Sequence, residues 1–284
     1  MATTKRIYVF ATCILSGIAA LFTIISLATE QWVVSDSIQL VEGTNDQMSQ
    51  RNRVRYGLFQ GTYFQTTPST FTFQLSMTCS LKENICAVLC TGDSEILSAL
   101  YQGQNGSQSD PMLKCPVIHR VSTYRNRPIT YSKESMASRT FINCGVWVST
   151  IIFLVLSLAF GVLSSALALF NTVNNPVQVF LSIQGLYIYN AMALCGSVIA
   201  LASWGIMHPF ITYHNVAIYY TITGQMSSDK VAYLGYSYWI NIIPIVFYCG
   251  SITVLYIRQY LLSKDPGHKI VEREDNADPV IYLY

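Results

Sequence analysis

The chain has 284 residues and a formal net charge of +2, and only 11% of its residues are Asp, Glu, Lys or Arg. Ordinary soluble domains carry about 25% charged residues. Hydrophobic residues make up 51% of the chain. This composition argues against a soluble protein, and the small net charge argues against a nucleic-acid partner.

Four apolar segments dominate the chain, at 7–28, 142–170, 180–207 and 238–261. A membrane-spanning helix needs about 20 mostly apolar residues. We disfavour the alternative, four buried helices of a soluble protein, because so much apolar length leaves little amphipathic surface. The sequence therefore predicts four transmembrane helices, with the lipid bilayer as the first partner.

The first apolar segment has a competing interpretation. Lys5 and Arg6 precede it and Ser26-Leu27-Ala28 end it, which resembles a signal peptide with a small-residue cleavage site. Signal peptides, however, usually have an apolar core of about 7–15 residues. The greater length of this segment favours a retained helix.

The four spans leave five segments outside the membrane: the N-terminus 1–6, a long loop 29–141, a turn 171–179, a second loop 208–237 and a tail 262–284. Counting Lys and Arg only weakly favours cytoplasmic termini. The cysteines of the long loop are stronger evidence, because an even set indicates two disulfides made in an oxidising compartment. The loop also has a glycosylation acceptor at Asn105. We therefore expect this loop to be extracellular, with its disulfides formed among Cys79, Cys86, Cys90 and Cys115.

Zinc binding is the alternative interpretation of the loop cysteines. It is disfavoured because His119 is the loop's single histidine and does not stand at ligand spacing. Cys144 lies at the mouth of the second span, and Cys13, Cys195 and Cys249 lie within spans, where a thiol behaves as a small apolar group.

Alternating residues predict a small β-sheet within the long loop. Apolar and polar residues alternate over 71–78, which is typical of a strand with one buried face. Arg51, Arg53 and Arg55 alternate similarly, and Trp32 begins a further strand at the membrane interface. Asp93-Ser94 predicts the start of a helix over 95–101. Residues 102–140 are predicted to be irregular.

Small and polar residues within the spans predict contacts between helices. Ser157, Gly161 and Ser165 recur at four-residue spacing in the second span, as in helices whose backbones approach closely. Pro244 predicts a kink in the fourth span. The polar residues of the later spans are interpreted as interhelical hydrogen-bonding groups rather than substrate ligands: Gln184, Asn190 and Asn241.

The tail has two parts. Residues 263–278 are polar and charged, which predicts a flexible tether. The last six residues, 279–284, are apolar and are predicted to be extended, so that they could add a strand to a PDZ-type module through Tyr282 and Tyr284. The alternative is that this strip lies on the membrane surface with its tyrosines at the headgroups.

Common catalytic and nucleotide-binding motifs are absent from the sequence, and no carboxylate or histidine lies in mid-span. We therefore predict no catalytic residues, no cofactor, no metal and no small-molecule substrate.

Several short motifs resemble the claudin-like tetraspan superfamily and, within it, the clarin family. They include Trp32, then the block Tyr56-Gly57-Leu58-Phe59, then the loop cysteines. Further matches are Asn174-Asn175-Pro176 and Tyr236-Ser237-Tyr238-Trp239. The resemblance covers roughly 1–61 and 145–262 and the last few residues, whereas 62–144 is longer and richer in cysteine than expected of a clarin.

The resemblance implies a membrane all-α four-helix bundle, left-handed, under a small extracellular β-sheet cap. It implies a Cys79–Cys90 disulfide, which leaves Cys86 and Cys115 as the other pair. It also implies a plasma-membrane protein with cytoplasmic termini that organises membranes, cell contacts or cytoskeletal attachment, in some clarins in sensory cells. The alternative function is an auxiliary or trafficking subunit of an ion channel. The partners would be membrane or scaffold proteins.

Overall fold

The computed structural model describes residues 2–40, 52–65, 71–90, 92–104, 117–120, 140–173, 180–214, 218–219, 226–227 and 230–264. Asn105, Cys115, Tyr282 and Tyr284 lie outside these residues, and what was predicted for Asn105, Tyr282 and Tyr284 stays a prediction.

Four helices in the described residues are long and apolar enough to cross a membrane. The first is α1, Ala2–Ala28, and the second is α3, Cys144–Val173. The third is α4, Ile183–Met207, which continues as one turn of π-helix over His208–Thr212. The fourth consists of a short helix α5, Tyr236–Ile240, followed by α6, Ile242–Lys264. These helices make the chain a multi-pass membrane protein.

The interruption in the fourth span follows from Pro244. Proline lacks an N–H, and its ring clashes with the carbonyl of the residue four positions earlier, which here is Ile240. The helix stops at Ile240, and the Asn241 N–H bonds to the Tyr238 carbonyl oxygen (3.1 Å) before α6 begins. The effect of Pro244 therefore falls at Asn241, one turn before the proline itself.

The described parts of the loops contribute a ten-stranded sheet and one further helix. The strands and this helix, α2, follow in chain order: β1 Val33–Leu40, β2 Asn52–Tyr56, β3 Gln60–Gln65, β4 Phe71–Ser80, β5 Ile85–Leu89, α2 Ser94–Gln104, β6 Val117–Arg120, β7 Ile142–Asn143, β8 Ile218–Tyr219, β9 Met226–Ser227 and β10 Ala232–Leu234.

Seven strands form a continuous antiparallel path in the order β10-β1-β2-β3-β4-β5-β7. The remaining three strands pair outside this path: β6 pairs with β4, β8 with β5 and β9 with β1. The prediction of a small sheet is therefore wrong, because the second loop and the residues just before α3 add strands that have little local signal. The expectation that 102–140 is irregular fails at β6.

Two local predictions in the first loop are confirmed. The predicted strand over 71–78 is β4, in which Phe73 and Leu75 are buried and Gln74 is exposed. The predicted helix is α2, whose first turn is capped by Asp93, since the Asp93 Oδ1 accepts a hydrogen bond from the Glu95 N–H (2.9 Å).

The chain divides into two compact units. The first contains described residues of Met1–Leu21, Ser157–Cys195 and Pro244–Tyr284. Its interior has two apolar clusters, one around Val9, Ala168, Leu186 and Leu255 and one around Ala19, Ala193 and Tyr248. The second contains described residues of Phe22–Leu156 and Gly196–Ile243, with one core that includes the inner face of the sheet.

Candidate functional site

The motif residues of the first loop lie at a buried corner of the second unit. Trp32 is fully buried, and its indole Nε1 donates to the Ser26 carbonyl oxygen (2.7 Å) near the end of α1. The Trp32 N–H donates to the Tyr56 carbonyl oxygen (3.0 Å). The protein itself therefore covers the Trp32 ring, and the predicted position of Trp32 at the membrane interface stays a prediction.

Gly57 makes this corner possible. A Cβ built on Gly57 would collide with the Thr29 carbonyl oxygen, so only glycine allows the turn after β2 to approach the end of α1. Leu58 is fully buried, and its carbonyl oxygen accepts a hydrogen bond from the Trp147 indole (2.7 Å) of α3. Phe59 is exposed, but its carbonyl oxygen accepts from the Met77 N–H (2.9 Å) of β4. Gly57, Leu58 and Phe59 therefore hold the turn after β2 against the end of α1, the start of α3 and strand β4.

The second loop closes the same corner. The Ser26 hydroxyl donates to the Ser237 carbonyl oxygen (2.9 Å), and Gln31 and Ser237 exchange hydrogen bonds. The Trp32 ring contacts Trp204 and Tyr238 edge to face, with centroids 5.4 and 6.0 Å apart. The sequence analysis did not single out Trp147 or Trp204. Each is a tryptophan near the end of an apolar segment, and this position was the signal available.

The first unit contains a polar cluster that takes one fully buried side chain from each of four helices. Its members are Ser16 of α1, Ser164 of α3, Asn190 of α4 and Ser251 of α6. The Ser16 hydroxyl donates to Asn190 Oδ1 (2.8 Å) and lies 3.2 Å from the Ser251 hydroxyl. Asn190 Nδ2 donates to the Ser164 hydroxyl (2.7 Å) and to the Leu186 carbonyl oxygen (2.8 Å).

This cluster can fix the register of the four helices, because each hydrogen bond forms at one relative position only. Asn190 was predicted to bond between helices, and it does so here. Asn241 is also fully buried, but neither of its side-chain amide atoms has a hydrogen-bond partner among the described residues. Gln184 is exposed. The three serines were missed, although each is a polar residue within an apolar segment.

The predicted packing residues of α3 contact the neighbouring helices of the first unit. A Cβ on Gly161 would collide with the Tyr248 hydroxyl of α6. The Ser157 hydroxyl donates to the Ala193 carbonyl oxygen (2.8 Å) of α4, and the Ser165 hydroxyl donates to the Cys13 carbonyl oxygen (3.1 Å) of α1.

The disulfide pairing differs from the prediction. Cys79 is bonded to Cys86, so the pairs Cys79–Cys90 and Cys86–Cys115 implied by the family resemblance are wrong. Strands β4 and β5 form a hairpin whose register sets Cys79 directly opposite Cys86, with their Cα atoms 4.1 Å apart. Cys90 is also disulfide-bonded. A third sulfur is close by, since the Sγ atoms of Cys79, Cys86 and Cys144 all lie within 4.8 Å of one another.

The outer face of the sheet has a small charged group. Asp36 forms an ion pair with Arg53 and accepts a hydrogen bond from the Tyr233 hydroxyl (2.7 Å). This hydrogen bond, with burial and the negative charge of Asp36, raises the pKa of Tyr233 above its ordinary value. Burial alone strongly raises the pKa of Tyr56 on the inner face.

No protein-family model matches the chain, and no curated protein matches it by sequence.

Proposed function

We propose that this protein is a non-enzymatic tetraspan membrane protein that acts as a structural or adaptor organiser at the plasma membrane. Its targets would be cell contacts or cytoskeletal attachment, and its termini would be cytoplasmic. The clarin family is the proposed family, on the motif residues at the buried corner. A glycan on Asn105 belongs to the same proposal.

The observation that carries the proposal is the two-sided sheet of the second unit. One face of β3 and β4 packs into the core through Tyr63, Phe73 and Leu75. Phe64, next to Tyr63 on β3, is exposed, as are Arg53 on β2 and Tyr233 on β10. An exposed aromatic and charged surface on a sheet with a well-packed core suits binding to another protein.

The buried corner and the polar cluster support the same proposal. Both consist of hydrogen bonds that join distant parts of the chain within one unit. Such bonds hold a fixed arrangement of helices and strands, as a structural protein requires. The predicted docking of Tyr282 and Tyr284 to a PDZ-type module would add an intracellular contact.

Site-specific photocrosslinking tests the proposal. A photoreactive amino acid replaces Phe64 in the full chain, expressed at the surface of living cells and irradiated there. We expect crosslinks to adhesion, membrane or cytoskeleton-linked proteins. The comparison position is Leu169, an exposed apolar residue of α3, where lipid rather than protein should be captured.

The identity of the captured protein decides between the two functions. A channel subunit captured in stoichiometric amount, and co-purified from mild detergent, would support the alternative role as an auxiliary or trafficking subunit. Equal protein capture at Phe64 and Leu169, or none at Phe64, would contradict the view that the outer face of the sheet is an interaction surface.

A further inference from the structure

Three cysteines from three parts of the chain meet on one face of the sheet. Strand β5 lies between β4 and β7, so Cys86 has a neighbour on each side. Across one side it faces Cys79, and across the other it faces Ile142, two residues before Cys144. Cys144 is the first residue of α3, directly after β7, and its Sγ lies within 4.8 Å of the sulfurs of Cys79 and Cys86. The β5–β7 pairing and the start of α3 together bring the Cys144 thiol beside the disulfide.

Hydrogen bonds hold the start of α3 against the β4–β5 turn. The Cys144 N–H donates to the Asn84 carbonyl oxygen (3.2 Å), and the Gly145 N–H donates to Asn84 Oδ1 (3.0 Å). Asn84 has a φ of 55°, the left-handed conformation that asparagine tolerates in turns. Cys144 is therefore kept beside the disulfide by the backbone and not only by its own side chain.

The three sulfurs differ in chemical state and in exposure. Cys79 and Cys86 form the disulfide, whereas Cys144 has a free thiol. Cys86 and Cys144 are almost completely buried, and Cys79 is partly exposed. A disulfide sulfur is not a thiolate ligand, so in this state the group offers a metal ion a single thiol.

We propose that Cys79, Cys86 and Cys144 form a thiol–disulfide exchange site in which Cys86 is the shared sulfur. The Cys144 thiol loses its proton, and the thiolate attacks Cys86 Sγ. The Cys144–Cys86 bond forms while the Cys86–Cys79 bond breaks, and Cys79 leaves as a thiolate that takes up a proton. One disulfide and one thiol are present before and after, so no oxidant or reductant is consumed.

The exposure of the three cysteine residues favours Cys79 as the leaving group of this exchange. The departing thiolate forms at the partly exposed cysteine, where water can solvate it, and the new disulfide joins the two buried sulfurs. The product has a covalent bond between β5 and the first residue of α3. It also has a thiol at Cys79 that alkylating reagents and glutathione-type disulfides can reach. Cys79 is thus a latent modification site.

Disulfide mapping of the full chain tests this exchange. The protein in mild detergent is kept at about pH 8.5, near the ordinary pKa of a cysteine thiol, without redox reagents. Samples taken over minutes to hours, the usual time for uncatalysed rearrangement, are quenched in acid, alkylated and digested. We expect a Cys86–Cys144 linked peptide to appear together with an equal amount of alkylated Cys79.

The matched control is Cys144→Ser, which keeps the thiols of Cys13, Cys195 and Cys249 and so reports any exchange through them. In this variant Cys79 should stay unalkylated throughout. In the wild-type protein, persistence of Cys79–Cys86 with Cys144 alkylated and Cys79 not alkylated would overturn the proposal. A Cys79–Cys144 peptide would overturn the assignment of Cys86 as the shared sulfur.

A second variant tests the same geometry without exchange. In Cys79→Ser, treated with oxidised glutathione as the oxidant, Cys86 and Cys144 should form an intramolecular disulfide. Separate glutathione adducts on Cys86 and Cys144, or two alkylatable thiols, would contradict the predicted proximity of these sulfurs. Because the wild-type exchange assay does not depend on this variant, misfolding of Cys79→Ser leaves the first test intact.

Discussion

At the scale of single residues, two buried tyrosines differ in what their hydroxyl groups contact. The Tyr56 hydroxyl has no hydrogen-bond partner among the described residues, whereas the Tyr248 hydroxyl donates to the Ser157 carbonyl oxygen (3.4 Å). Burying a polar group without a partner costs free energy, while a typical intramolecular hydrogen bond contributes about 0.5–1.5 kcal/mol. The same substitution should therefore act differently at the two positions.

We predict that Tyr56→Phe keeps or raises the free energy of unfolding and that Tyr248→Phe lowers it, by roughly 0.5–1.5 kcal/mol. Denaturant unfolding of both variants in the same mild detergent measures the difference. A loss of stability in Tyr56→Phe as large as that in Tyr248→Phe would mean that the Tyr56 hydroxyl has a partner outside the described residues.

The stability of the folded protein should depend on pH through Tyr233 on the outer face of the sheet. Its neutral hydroxyl donates to Asp36, and this bond raises the pKa of Tyr233 in the folded protein. A raised pKa means that the folded state holds the proton more tightly than the unfolded state. The resulting stability is complete below the unfolded-state pKa of about 10 and is lost as the pH rises through the folded pKa.

We therefore predict that wild-type stability falls above about pH 10 more steeply than that of Tyr233→Phe, which has no hydroxyl to ionise. Thermal unfolding midpoints across the alkaline range provide the measurement. Asp36→Asn should also weaken the dependence, because it removes the negative charge and the carboxylate acceptor. Identical alkaline profiles for all three proteins would contradict this role of the Tyr233–Asp36 bond.

At the scale of elements, α3 and α6 approach closely at Gly161. A methyl group at this position would overlap the Tyr248 hydroxyl, which is buried and has little room to move. Gly250 of α6 is a matched position, because a Cβ there would lie 3.8 Å from its nearest neighbour, Leu15 Cδ1, an ordinary contact distance. Overpacking typically costs about 1–3 kcal/mol.

We predict that Gly161→Ala lowers the unfolding temperature in detergent, that Gly161→Leu disrupts folding, and that Gly250→Ala has little effect. In the Tyr248→Phe background, Gly161→Ala should cost less than it does in the wild type, because the atom that the new methyl group meets has been removed. An equal cost of Gly161→Ala in both backgrounds would show that the collision is not the cause.

The polar cluster joins the four helices of the first unit through hydrogen bonds between buried side chains. Hydrogen bonds between membrane helices contribute on average about 0.6 kcal/mol each and at most about 1.7. Asn190 makes three bonds, two of them to other helices. It is therefore the member whose loss should matter most.

Asn190→Leu should lower the free energy of unfolding by roughly 1–2 kcal/mol, because it removes two interhelical hydrogen bonds. Gln184→Leu is the control, since it makes the same change in polarity at an exposed position of α4. Equal effects of the two substitutions on unfolding in lipid nanodiscs would indicate that the cluster does not hold the helices together.

At the scale of the whole molecule, the proposed topology places the loop that carries Asn105 and the disulfide on the exterior and both termini in the cytoplasm. We predict that glycosidase increases gel mobility and that Asn105→Gln abolishes this shift. Tags at both termini should be protected in intact cells and accessible after permeabilisation. A terminal tag accessible in intact cells would contradict the topology.

Several elements were predictable because their signals are local. Apolar length identified four helices able to span a membrane, since backbone groups in hydrocarbon must be satisfied within the segment. Period-two alternation identified β4, and Asp93 identified the start of α2. A helix cap and a strand face depend on residues only a few positions apart, so these features survive in any tertiary arrangement.

The tertiary structure alone decided which distant residues meet. The disulfide is an exception: the sequence offered three ways to pair four loop cysteines, and the local register of the β4–β5 hairpin pairs Cys79 with Cys86, only seven residues along the chain. The Trp32 ring is an interfacial anchor by sequence, but Trp204 and Tyr238 bury it. Ser16 and Asn190 are far apart in the chain and in contact in the fold. Composition and periodicity carry no record of such pairs, because strand register and helix packing set them through contacts between residues far apart in sequence.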